Sequence, residues 1–71
     1  MMRKRSTKIV HVGEYVAEVD VELIELEGGW SPYLSLEDAQ KLDDVREALR
    51  LGDLKRAGKY ARVFKITPVA V

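Results

Sequence analysis

The sequence predicts an α+β fold: a small antiparallel sheet in the order β-β-β-α-α-β, with two helices on one face. Three observations lead there. The chain has 71 residues, room for one domain spanning residues 1–71. Tyr15, Ala17, Val19, Val21 and Leu23 alternate with Glu18, Asp20 and Glu22, the period-2 mark of a half-buried strand. Leu36, Ala39, Leu42, Val45 and Leu49 recur at helical spacing. A sheet carrying both helices on one side buries these stripes in two layers.

Taken in order, residues 1–7, with Arg3, Lys4 and Arg5, read as a basic flexible arm. Lys8 to Val12 reads as a β-branched strand, and Gly13-Glu14 as a turn. A second strand runs from Tyr15 toward Leu26. Its phase slips at Leu23-Ile24, where a bulge or bend is expected. Glu27-Gly28-Gly29 is a glycine turn, and Trp30 to Leu34 a short third strand. Pro32 lacks an N–H, which confines that strand to an edge. Trp30, between turn and helix, is the expected anchor of sheet to helix.

Ser35 is an N-cap, and Asp38 stands where a capping box places an acid. Gly52 is the expected residue just past the helix end, and Asp53 caps a second helix from Leu54 to about Tyr60. Gly58 inside it weakens that helix or serves close packing. Arg62 to Ile66 reads as the last strand, with Phe64 and Ile66 on one side and Pro68 ending it.

A chain this short buries only ~60% of its unfolded surface, so its core needs reinforcement. Without cysteine there is no disulfide, and one histidine cannot build a structural zinc site. Oligomerisation or a bound partner is left, and Ile24, Leu26 and Val69 to Val71, apolar without an internal place, predict a homodimer. No apolar run approaches the ~20 residues that span a membrane, and no signal-peptide stretch follows the basic N-terminus. The expected setting is cytoplasmic, with no membrane.

Chemistry finds little purchase. His11 is the one general-base candidate by type, and its strand setting suits a structural role. No nucleophile elbow or phosphate loop occurs. Glu18, Asp20 and Glu22 share a strand face and could gather Mg²⁺, but a solvated polar face has the same pattern. The expectation is no enzyme, no catalytic residue, no metal and no cofactor.

Charge is the strongest remaining signal. Net charge is zero, yet residues 1–13 carry four cations and no acid, and residues 14–47 eleven acids against Lys41 and Arg46. Residues 48–71 are basic again. Acidic and basic elements packing side by side would explain this. Two binding readings compete with that one. Glu18, Asp20 and Glu22 form an acidic strand face that could engage a basic protein partner, such as a basic toxin. Alternatively Arg50, Lys55, Arg56, Lys59 and Arg62, with the N-terminal arm, could contact nucleic-acid phosphates.

Tyr15-Val16-Ala17-Glu18-Val19-Asp20-Val21, Trp30 to Ala39 and Ala61 to Val69 together resemble short, uncharacterised bacterial proteins loosely associated with toxin–antitoxin gene pairs. A weaker likeness is to HicB-like antitoxins, which open with a β-hairpin, turn at an acid-Gly-aromatic step and start a helix at Ser/Thr followed by acid and Ala. Glu27 to Trp30 and Ser35 to Ala39 match those steps. The loop before the helix is shortened to Ser31-Pro32-Tyr33-Leu34, and the family's C-terminal DNA-binding segment has no counterpart. The resemblance implies a fold more than an activity. The sequence reading is thus a small antitoxin-like binding protein.

Overall fold

A computed structural model describes residues 2–25, 28 and 32–70. Strands β1 (Met2–Val12) and β2 (Tyr15–Glu25) form one uninterrupted antiparallel ladder, from Val12 opposite Tyr15 to Met2 opposite Glu25. Gly13 opens the two-residue turn with φ +59, while Glu14 keeps a negative φ. A glycine at the first turn position gives the II′ geometry that matches strand twist.

Residues 2–7 are therefore strand rather than flexible arm. Ser6 and Thr7 extend the Lys8–Val12 segment, and acidic β2 supplies neighbours for its cations: Arg5 stands opposite Glu22. Opposite charges across a ladder favour pairing, so part of the charge segregation along the sequence becomes charge matching in the hairpin, at Arg3 and Arg5, while Lys4 and Lys8 stand opposite Leu23 and Val19. The expected bulge near Leu23-Ile24 is absent from this ladder. Ile24 keeps phase with Glu18, Asp20 and Glu22 and gains an aromatic cross-strand neighbour, Tyr33.

β3 is only Tyr33–Leu34, and it pairs with β2 at Leu23 and Ile24. β4 (Arg62–Lys65) pairs with β2 at Tyr15–Glu18, and Ile66 adds an N–H bond of 2.6 Å to the Glu14 carbonyl. β2 is thus central, with β1 along one side and β3 and β4 sharing the other. Leu26, Trp30 with its proposed anchoring role, Val71 and most of the glycine turn at 27–29 lie outside the described residues.

Helix α1 (Leu36–Arg50) starts at Ser35, whose Oγ accepts the Asp38 N–H at 3.1 Å. It ends in a Schellman turn: Gly52, at φ +74, donates to the Leu49 carbonyl, and Asp53 donates to Ala48 at 2.8 Å. Asp53 then caps α2 (Leu54–Gly58), accepting the Arg56 N–H. This helix stops two residues short of Tyr60. A side chain at Gly58 would meet nothing within 4 Å, so close packing does not explain the glycine.

Val10, Ala17, Val19 and Val21 face Val45, Ala48 and Leu49 of α1 and Ala57 of α2. Leu36, expected on the α1 apolar stripe, is instead 87% exposed in the first turn. The core is built of small residues; Val19 and Val45 are its largest fully buried side chains. Among the described residues, no helix is long and apolar enough to cross a membrane.

Candidate functional site

Strand alternation decides which side chains remain available. Odd residues of β2 face the helices, so even ones stand on the opposite face, which no helix covers. The register then fixes the neighbours on that open face. His11, Val16 and Phe64 make one row; Ile9, Glu18 and Arg62 the next; Thr7 and Asp20, then Arg5 and Glu22, follow. Arg3, Ile24 and Tyr33 close the series, and there the face is no longer open: Ile24, expected to have no internal place, is buried within the chain itself.

The acidic trio does share a face, but it is not a free row of charge. The Arg62 guanidinium donates from both Nη atoms to the Asp20 carboxylate at 3.1 Å, and from Nε to Glu18 at 3.2 Å. Thr7 Oγ1 donates a further bond to Asp20 at 3.3 Å. Glu22 accepts from Arg3 at 3.2 Å. The Arg62 hydrogen bond, then its charge, holds the Asp20 carboxyl below the usual carboxylate range, and the two carboxylates raise Arg62 in turn. These groups are solvent-exposed, so the network organises the face more than it stabilises the fold.

The predicted basic patch is dispersed. Arg62 lies on β4, in the strand where the sequence placed it, and its side chain is engaged by Glu18 and Asp20 rather than joined to the helix cations. Arg50 pairs with Glu47, and Arg56 reaches back to Asp44 of α1, each at 3.8 Å. Lys55 and Lys59 are exposed members of that patch. His11 Nε2 lies 2.9 Å from the Gly13 carbonyl, tied to the hairpin turn. Among the described residues no three His, Asp or Glu side chains converge on a metal-sized site. An open depression of about 1000 Å³ touches Arg3, Arg5, Asp20 and Lys41. Its polar walls lack the apolar lining of a small-molecule pocket.

Two features escaped the sequence reading. On the side of β2 away from β1, no strand among the described residues pairs between β4 and β3, and α1 closes that gap with side chains. Asp38 Oδ2 accepts the Glu22 N–H at 2.7 Å, and Lys41 Nζ donates to the Asp20 carbonyl at 2.7 Å. No sequence motif signals this, because Asp38 serves equally well as a helix-start acid. The second feature is apolar. Ile9 is 59% exposed and Phe64 51%, beside Val16 and near Ile66, at the hairpin end of the open face. The alternation of Phe64 and Ile66 was visible, but not which way it faced.

Comparison of the chain with protein-family models, curated proteins and solved structures finds no match.

Proposed function

We propose that this chain is a macromolecule-binding protein of antitoxin-like type, which acts by occupying a protein partner and whose open sheet face is covered by a second copy of itself. One observation carries the need for a covering partner: the chain exposes 5561 Å². A compact monomer of its mass exposes about 4,500 Å². The excess of roughly 1,000 Å² matches what one partner gives up in a standard interface, about 800 Å². The radius of gyration agrees, at 14.3 Å against about 11 Å for a compact domain of this length.

The open face suits a copy of itself. Its three acids are balanced by Arg62, Arg3 and Arg5, so two such faces meet without net repulsion. Ile9, Val16, Phe64 and Ile66 supply the apolar contact. A basic partner docking on Glu18, Asp20 and Glu22 would first have to displace Arg62 and Arg3. A nucleic acid would find Arg50, Arg56 and Arg62 engaged by carboxylates. A second copy covering the open face needs neither displacement.

Sedimentation equilibrium at tens of micromolar, roughly where a stable interface is saturated, tests the reading. The expected species is a dimer that Phe64→Lys converts to monomer with its circular dichroism unchanged. A wild-type monomer would refute the self-covered face. Retention of mixed RNA and DNA on filters at low salt would replace the protein partner with a nucleic acid.

A further inference from the structure

The two sides of the sheet are finished differently. On one side the gap in the β2 edge is closed by β4, β3, Asp38 and Lys41. On the other, β1 runs for 11 residues with β2 on its inner side and, among the described residues, no strand on its outer side. Val12 and Tyr15 flank the two-residue turn, which makes them a hydrogen-bonded pair. Alternation then turns the main-chain groups of Arg3, Arg5, Thr7, Ile9 and His11 outward. A long row of unpaired N–H and C=O groups is a template for another strand.

The charge on this edge states what kind of strand. Arg3, Lys4, Arg5 and Lys8 are all exposed, and a second β1 laid alongside would bring four more cations and no acid to the same ribbon, the kind of charge by which edge strands discourage pairing with their own kind. The strand that β1 already accepts is acidic and alternating, with Glu22 opposite Arg5, Asp20 opposite Thr7 and Glu18 opposite Ile9. We infer that the outer edge of β1 binds an acidic extended segment of the protein partner by strand addition. This rests on the protein-binding reading above, but it uses a different surface from the self-covered face. A nucleic acid could meet the same cations, but it could not satisfy the outward row of peptide groups.

The test uses the full chain and synthetic peptides as long as β1, alternating Glu with Val or Thr. The expected result is binding of the acidic peptide, with new exchange protection at the amides of Arg3, Arg5, Thr7, Ile9 and His11. Methylating the peptide's backbone nitrogens on the β1-facing side should weaken binding at least ~10-fold, and methylating the other side should not. Lys4→Glu and Lys8→Glu should weaken it by a similar factor. Neither lysine stands opposite an acid of β2, so the fold should survive, as circular dichroism will show. Equal binding of the methylated peptide, equal binding of a Lys-for-Glu peptide, or tighter binding of oligouridylate would each overturn the inference. So would absence of binding at about millimolar peptide. Phe64→Lys separates the two readings: it should abolish the dimer and leave peptide binding intact.

Discussion

The Asp38 carboxylate accepts the backbone N–H of Glu22 at 2.7 Å instead of turning back to its own helix start. In a capping box the third helical residue returns to the N-cap amide. Here only half the box is made, by Ser35 Oγ, and the acid is spent on the uncovered edge of β2. Asp38→Ala strands a partly buried amide and removes a charge-assisted bond. It should therefore lower unfolding free energy by about 1–3 kcal/mol. Ser35→Ala should cost ~1 kcal/mol. Urea denaturation of both variants checks the order; equal or negligible losses would mean the edge is served by water.

Arg62 predicts an acid-side pH dependence. Asp20 has a lowered pKa in the folded chain, so the unfolded chain binds more protons in the acid range. The stabilisation is present above the unfolded carboxylate value and is lost as pH falls through the lowered folded value. Arg62→Gln should therefore be less stable than wild type near neutrality, with the difference shrinking between about pH 5 and pH 2. Thermal melts across that window check it, and a difference independent of pH would contradict it.

Two glycines should respond with opposite signs. Gly52 closes the Schellman turn at φ +74, where an L side chain is strained. Gly52→Ala should cost roughly 1–2 kcal/mol. Gly58 ends α2 without a positive φ and with open space around its missing side chain. Gly58→Ala should raise stability by about 0.4–1 kcal/mol, because alanine narrows the unfolded ensemble. The same sign for both would show that the α1–α2 turn is misassigned.

The core leaves little reserve. Val45 is fully buried against a sheet face of valines and alanine. Val45→Ala removes two methyl groups worth ~0.8 kcal/mol each, and leaves a cavity besides. A core in a chain this short rarely supplies more than about 3–5 kcal/mol. The variant should accordingly show a large unfolded fraction at room temperature by circular dichroism. A melting curve like that of wild type would mean the core collapses around the loss.

Where local chemistry specified structure, the sequence could be read. The Tyr15–Leu23 alternation, the Ser35 cap and the Gly52-Asp53 step all act within a few residues, and each appears in place. Readings that needed the register went astray. Arg3, Lys4 and Arg5 look like a loose arm until acidic β2 lies beside them, and Arg62, legible as a strand residue, gains its acidic neighbours only when β4 sets it opposite Glu18. The acidic trio was recognisable as one face, but its neutralisation depends on pairing residues 42 and 44 positions apart. The exposed state of Phe64 and the side-chain closure by Asp38 and Lys41 likewise belong to tertiary contacts.

Cover of the open sheet face by a second copy is the proposal most directly open to measurement. A dilution series of amide and methyl spectra reports this residue by residue. Diluting from high to low micromolar (roughly the range that empties a micromolar interface) should shift Ile9, Val16, Arg62, Phe64 and Ile66 together. Val45, Ala48 and Leu49, packed between helix and sheet, should stay still. Spectra unchanged on dilution in a species that sediments as monomer, or shifts gathered on the helices instead, would contradict it.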